Sequence, residues 1–437
     1  MHRILKIATL LALISTPLGA REYSMTQLFE LAMEEDSRLA RIEAGVAAAE
    51  TVVADAGAAF QPALSAGFRA SYVSELPEME QPKPGGGTTT VEAGVKDTYA
   101  ANLTARQLIF AGFTRRYGLA AAENRLAEVR FQKSMREDAL RFSLLQAAYG
   151  YSLADLSVES LEASLARLEL NRRRVESFFS QGFASELDLL EIDASIAELN
   201  LQLRQQQADR RAALISLRSL SGAEDLDALS VEEAYLALPD VEAVDIEGAD
   251  LASNADYRAT DYTRQARELE TEIHRGDYYP RLSAFGSLNY GRPGANFFAD
   301  EWQFYYQGGV EVSMNLWDGG RRGNALERDR ARLEQLAAER EELFTNLLAR
   351  GRQTGESLQS AAEQLTTARS LLKNKQRKYE LIQQLWDAGE QSTLEVLEAE
   401  QELTAADIRA KGLEIRLLSL YQDYLLLINR PLWRNTK

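Results

Sequence analysis

The chain has 437 residues, a net charge of −17, no cysteine and two histidines, His2 and His274. That length suffices for two or more domains, and the missing cysteine excludes a disulfide framework, a thiolate metal site and a lipoprotein cysteine, while two histidines leave little for a His-based zinc or catalytic centre. The acidic balance argues against nucleic acid, whose binders carry basic patches, and suits a solvated surface or a cation-tolerant pore.

Residues 1–20 read as a secretory signal peptide: His2, Arg3 and Lys6 are the basic region, Ile7–Ile14 a short apolar core, and Thr16-Pro17-Leu18-Gly19-Ala20 ends in small residues, placing cleavage after Ala20. The core is too short for a spanning helix, and no later stretch has the ~18 uninterrupted apolar residues one needs. A membrane role must therefore use strands.

From Tyr23 the pattern is helical, with Leu28, Leu31, Ala32, Leu39 and Ile42 at helix spacing and an Ala-rich continuation over 44–59. Pro62 ends it. Leu64, Ala66, Phe68, Ala70 and Tyr72 then alternate with Ser65, Gly67, Arg69 and Ser71, as in a strand with one apolar and one polar face. Residues 75–96, with Pro77, Pro82, Pro84 and Gly85-Gly86-Gly87, read as a flexible loop. Alternation returns with Tyr99, Ala101, Leu103 and Ala105.

The plan then repeats. A helix runs from about Ser253 to Tyr279 and stops at Pro280. Leu282, Ala284, Gly286, Leu288 and Tyr290 alternate with Ser283, Phe285, Ser287 and Asn289; after Gly291, Pro293 and Gly294, Trp302, Phe304, Tyr306, Gly308, Val310 and Val312 alternate with Gln303, Tyr305, Gln307, Gly309 and Glu311. These strands, expected at about 63–74, 97–110, 281–291 and 302–317, have the ~10-residue length and alternation of membrane barrel strands. Aromatics gather at their ends, Phe60, Phe110, Tyr278, Tyr279 and Trp317 at one and Tyr72, Tyr99, Phe297, Phe298 and Trp302 at the other, as in interfacial girdles. A small soluble antiparallel sheet also alternates. Four strands cannot close a membrane barrel, since single-chain examples start at about eight, and lipid tolerates no open edge. If these strands span, several chains share one barrel.

Each strand pair leads into a very long helix. Residues 114–181 contain no proline and reach about 100 Å at 1.5 Å per residue. Coiled-coil stripes run through Leu161, Leu165, Leu168, Val175 and Phe179, then Leu187, Leu190, Ala194, Ala197 and Leu201, and in the second half through Leu372, Tyr379, Ile382 and Trp386, then Leu394, Leu397, Thr404, Ile408, Ile415 and Leu418. Between the helices of each pair lie matching turns, Gly182-Phe183-Ala184-Ser185-Glu186-Leu187-Asp188-Leu189-Leu190-Glu191 and Gly389-Glu390-Gln391-Ser392-Thr393-Leu394-Glu395-Val396-Leu397-Glu398, 207 residues apart. Gly ends one helix and Ser caps the next. The common offset, shared by Phe110-Ala111-Gly112 and Trp317-Asp318-Gly319, marks an internal duplication. The halves are 21–221 and 251–437, joined by an acidic linker, 222–250.

No phosphate loop, dinucleotide fingerprint, metal-ligand cluster or triad stands out, so the reading has no catalytic residue, cofactor or metal. Gly319-Gly320-Arg321-Arg322-Gly323 is a strand-to-helix turn, like its counterpart Gly112-Phe113-Thr114-Arg115-Arg116. Glu395, Glu398 and Glu400 could hold a metal or be exposed helix charge. Carboxylates near a hairpin turn, repeated by symmetry around a pore, make a cation-selective ring; Asp188, Glu191, Glu395 and Glu398 are the candidates. Phe178, Phe179, Phe183, Leu187, Trp386 and Leu394 are apolar residues at the tips that suit partner docking, or packing against helices of the same protein.

In this order of elements, in its two prolines before strands, in its two Gly-x-x-Ser-x-Leu-acid turns and in Met25-Thr26-Gln27-Leu28-Phe29-Glu30-Leu31-Ala32, the chain resembles the TolC-like outer-membrane efflux proteins over nearly its whole mature length. The resemblance implies a mainly α fold with a membrane β-barrel portion: duplicated long helical hairpins forming an α-helical tunnel, and four strands per chain in a trimeric, twelve-stranded barrel. It implies an outer-membrane location extending into the periplasm, a homotrimer in outer-membrane lipid, and a periplasmic adaptor and an inner-membrane pump of RND or ABC type as partners. It places adaptor docking at Phe178, Phe179, Gly182, Phe183 and Ser185 and at Trp386, Ala388, Gly389 and Ser392, and a constriction at Glu395 and Glu398. Phe178 and Gln391 stand where relatives can carry basic residues. The absent cysteine puts it with the unlipidated branch. The resulting expectation is a passive exit duct for efflux or type I secretion, not an enzyme. The rivals are a soluble periplasmic coiled-coil adaptor or scaffold and an envelope hydrolase using Glu pairs.

Overall fold

The computed structural model describes residues 21–92, 94–231, 236–241, 250–296 and 299–430. The signal-peptide segment, Phe297 and Phe298, and linker residues 232–235 and 242–249 lie outside them. In chain order the elements are β1 Arg21–Ser24, α1 Met25–Glu35, α2 Ser37–Ala58, β2 Ala63–Tyr72, β3 Glu78–Pro82, β4 Thr88–Glu92, β5 Asp97–Ala111, α3 Thr114–Ser180, α4 Glu186–Ser221, β6 Leu226–Ser230, α5 Ala255–Gly276, β7 Arg281–Arg292, β8 Gln303–Ser313, α6 Arg321–Asp387 and α7 Thr393–Leu427. They form two units, each drawing on both halves of the sequence: one is the chain up to Glu43, Gln132–Arg258 and from Glu342 on; the other is Ala44–Phe131 and Ala259–Glu341.

The second unit is built on a four-stranded antiparallel sheet in the order β2-β5-β7-β8. The alternation in the sequence becomes two faces. One carries cross-strand rows such as Ala66–Leu103–Leu288–Tyr306 and Phe68–Ala101–Tyr290–Phe304; the other carries Ser65–Thr104–Ser287–Gln307 and Gly67–Asn102–Asn289–Tyr305. The register slips between Leu108 and Phe110, so one extra residue of β5 bulges and Phe110 joins the apolar face opposite Leu282. Where β5 turns into α3, Gly112 (φ +59°) meets Gly276 at the end of α5, and a Cβ there would lie 2.2 Å from the Gly276 carbonyl oxygen. Below the sheet the helices pack through Phe131 against Tyr262 (5.6 Å between ring centres), Asn124 Nδ2 to the Tyr262 carbonyl (3.0 Å) and His274 Nδ1 to Asp329 (2.6 Å).

The first unit holds the two hairpins, α3–α4 and α6–α7. Its apolar core has three parts. One joins α1 (Met25, Leu28), α3 (Leu144, Leu145, Tyr149), α4 (Leu217), β6 (Leu226) and α7 (Leu418). A second runs down the hairpins through Leu161, Leu168, Val175, Ile192, Leu199, Trp386, Val396 and Leu397. A third gathers Leu251, Leu358, Leu365, Leu417 and Tyr424.

Several expectations change. Residues 21–24 are a strand, not the start of a helix: β1 pairs in parallel with β6, a partner about two hundred residues away that local periodicity cannot reveal. Ser24 then caps α1 reciprocally with Gln27. The helix breaks at Asp36, whose carboxylate takes the Leu39 amide at 2.6 Å and the Arg136 guanidinium; that guanidinium holds the carboxyl below the ordinary range. The supposed loop 75–96 contains the hairpin β3–β4, with Thr88–Val91 supplying β-branched residues and Gly85-Gly86-Gly87, all at positive φ, turning it. The linker is part core, since Leu226 and Leu229 are buried. On α4 the stripe Leu187, Leu190, Ala194, Ala197 and Leu201 is exposed, and the buried face is instead Ile192, Leu199 and Leu203. Apolar residues occupy both faces of this helix, so spacing alone could not choose between them.

Candidate functional site

The two tips are built alike. At the first, Gly182 (φ +80°) closes α3: its amide binds the Phe179 carbonyl at 3.0 Å and the Phe183 amide binds the Phe178 carbonyl at 2.8 Å. At the second, Gly389 (φ +78°) binds Trp386 at 3.0 Å and Glu390 binds Leu385 at 2.8 Å. These paired bonds satisfy the last helical carbonyls and need a left-handed residue. The next helix starts with a reciprocal cap. Ser185 donates its amide to Asp188 at 2.8 Å while its hydroxyl takes the Asp188 amide at 3.3 Å; Ser392 and Glu395 do the same at 3.0 and 3.3 Å.

These caps locate the candidate acids. Asp188 and Glu395 are cap carboxylates first. The Ser185 hydroxyl, and with it the Ser185 amide and the Thr393 hydroxyl of the second tip, hold the Asp188 carboxyl below its ordinary range against the opposing effect of burial. The tips are in contact through Phe178 with Trp386 and Arg174 with Asp387. Glu191 is half-buried and Glu398 exposed, one turn further along their helices. Among the described residues no cluster of three or more acids or histidines could hold a metal.

The candidate docking aromatics divide. Phe183 is 81% exposed, and Phe179, Leu187 and Leu394 are also open. Ser185, Ala388 and Ser392 are exposed beside them. Trp386 is only 4% exposed: it packs edge-on against the half-buried Phe178 at 5.8 Å, inside the hairpin cluster rather than outward. Its place on the stripe, one turn before the Gly, decides this. Arg174 bridges to Asp387 at 3.0 Å across the same contact.

Glu400 is neither a metal ligand nor exposed charge. It is fully buried on α7 and receives Arg167 Nε on both oxygens at 3.0 Å, Arg167 Nη2 at 2.8 Å and the Ser164 hydroxyl at 2.8 Å. The seam between α3 and α7 continues in polar residues: Lys411 reaches Ser160 at 2.7 Å and Asp407 at 3.2 Å. Its trace in the sequence is the run Ser157, Ser160, Ser164, Arg167 and Asn171, which keeps the three-and-four spacing of a coiled-coil seam without its apolar residues.

The sheet supplies the second candidate surface. Its apolar face is open to the outside: Phe68 is 72% and Tyr306 80% exposed, with Leu64, Val310 and Val312 similar. Its edges β2 and β8 pair with nothing among the described residues. Tyr99 and Tyr290 both stack on Trp302, at 6.0 and 5.2 Å, at one end. Phe110, Phe113 and Tyr279 form a cluster of edge contacts at the other, where Arg115 lies over Phe60 and Arg322 over Tyr278. At the start of α6 the free amides of Gly320 and Arg322 bind the Asp318 carboxylate at 3.1 and 3.2 Å, so the chain's own acid fills the place a phosphate would take.

The family model for outer membrane efflux proteins matches residues 249–419. The pyoverdine export outer membrane protein OpmQ of Pseudomonas aeruginosa is 25% identical over 92% of this chain and 83% of its own length. The alkaline protease secretion protein AprF of the same organism is 24% identical over 71% of this chain and 65% of its own. The crystal structure of VceC from Vibrio cholerae superposes with a TM-score of 0.74 at 17% identity, covering 94% of this chain and 97% of that one. Open apolar strand face, paired aromatic rims and twin capped hairpins thus coincide with the fold of solved outer-membrane channels and, over residues 249–419, with the family model of outer membrane efflux proteins.

Proposed function

We propose that three copies close one twelve-stranded barrel, the β2 edge of each meeting the β8 edge of the next, and that the hairpins line a tunnel fed by an inner-membrane pump through a periplasmic adaptor. The observation that carries this is the four-stranded sheet with both edges unpaired and its apolar face exposed. Four strands leave two open edges, which hydrocarbon does not tolerate. The edges are antiparallel-compatible, because β8 runs opposite to β7 and β2 opposite to β5. The exposed α4 stripe, Leu187, Leu190, Leu201 and Ile215, is a second surface for a neighbouring copy. A soluble scaffold would have no use for an open aromatic sheet face.

In this reading the docking tip consists of Phe179, Phe183, Ser185, Ala388 and Ser392, with Gly182 and Gly389 shaping the turns and Phe178 and Trp386 supporting them from inside. Asp188, Glu191, Glu395 and Glu398 form the constriction. Replacing Glu395 and Glu398 by Gln lowers cation preference, and reversal potentials that do not move remove the ring. The pump is of RND or ABC type, and the chain moves solute without chemistry of its own. The chain has no cysteine, so engineered pairs are clean: one cysteine on β2 and one on β8 should yield covalent trimers on oxidation. Only intrachain products, or none at any register, would refute the shared barrel.

A further inference from the structure

The polar face of the sheet carries few charges, and they do not balance. Alternation from the observed register places Arg69 of β2, Arg106 of β5, Arg281 of β7 and Glu311 of β8 on it. Arg106 pairs with Glu311 at 3.5 Å and Arg281 with Asp277 at 2.8 Å. No ion pair holds Arg69 among the described residues, and it is exposed. Its cross-strand row is Ala100 and Gly291, then Gln303 opposite Gly291. Small neighbours leave its long side chain free to reach away from the sheet. The row lies beside the Tyr99–Tyr290–Trp302 stack, at the end of the sheet remote from the strand-to-helix turns.

We infer that Arg69 is a selectivity-determining residue: a threefold basic ring at the outer end of the barrel lumen that favours solutes carrying a carboxylate, sulfonate or phosphate. The inference rests on the shared-barrel reading above, which makes the polar face a lumen. An arginine there acts as a permanent charge, and rings of like charge set the sign of the ions a pore favours. It stands against a chain whose net charge is −17, so the exit and the acidic tips select opposite signs. The exposed carboxylates of the β3–β4 hairpin, Glu78, Glu80 and Glu92, are screened by salt beyond about 10 Å at 0.1 M.

The test uses the full-length chain, purified and inserted in planar bilayers under a potassium chloride gradient at about 0.1 M, where the Debye length is about 10 Å and distant charges are screened. Arg69→Gln should raise cation over anion permeability roughly threefold, the size of a kT-scale change in local potential, Arg69→Glu more, and Arg69→Lys should leave it unchanged. Because the chain has no cysteine, Arg69→Cys gives a unique thiol in an assembled pore. A cationic thiol reagent should restore the wild-type reversal potential and an anionic one should move it further toward cations. Pores of normal conductance whose reversal potential ignores both reagents overturn the inference and leave the channel intact. A wild-type chain that forms no pore overturns the barrel reading itself.

Discussion

The sheet and the hairpins use the same apolar residues in opposite senses. On the sheet Phe68, Tyr306, Val310 and Val312 point outward and are exposed. On the hairpins Leu161, Leu168, Val175 and Ile192 are buried between helices. The polar residues invert too: the sheet collects serines, asparagines and glutamines on one face, whereas the α3–α7 seam buries Glu400 and Ser164. Burial of apolar surface follows the solvent. A face open in one chain and mostly apolar has hydrocarbon or another subunit as its partner.

The largest effect should come from placing charge on the outward sheet face. Val310→Arg adds about 2–4 kcal/mol per chain in mid-membrane, three times over in a trimer, and should abolish assembly in the membrane; Gln307→Arg, three residues away on the other face, should assemble normally. If the two variants behave alike in membrane fractionation, the faces are misassigned. Next is the seam. Glu400→Ala leaves Arg167 without its partner and should cost about 3 kcal/mol, as breaking a buried pair does, read in thermal unfolding. Exchanging both Glu400 and Arg167 for Leu should recover most of that loss. Third, Gly389→Leu forces a side chain to φ +78°, where nothing lies within 4 Å of the new Cβ, so the cost is conformational, about 1–2 kcal/mol. Export should weaken while trimers persist.

The smallest effect separates the tips by pH. The Asp188 carboxyl titrates below its ordinary value of 3.8. For a depressed acid the stabilisation is complete above the unfolded value and is lost as pH falls through the folded one. The stability gap between wild type and Asp188→Asn should therefore be flat at neutral pH and close only below 3.8. A gap that closes near neutrality would mean that another group is being read.

Local chemistry made the strands and tips legible. Period-two alternation marks Ala63–Tyr72 as a strand whatever surrounds it, and Gly182 with Ser185 marks a turn by its backbone needs alone. What stayed hidden depends on distant partners. The parallel pairing of β1 with β6 and the choice of buried face on α4 are set by packing. Trp386 looked like a docking residue because its place beside the turn is visible, while its contact with Phe178 is not. Glu400 looked exposed because an acid on a helix usually is; Arg167 and Ser164, more than two hundred residues away, make its burial tolerable.

The most direct measurement of the central claim, that the outward sheet face meets lipid and several copies enclose a water-filled path, is single-channel conductance of the detergent-purified chain in a planar bilayer. Long-lived current steps with a defined ion preference are the predicted result. No insertion, from protein that stays soluble without detergent, would contradict it.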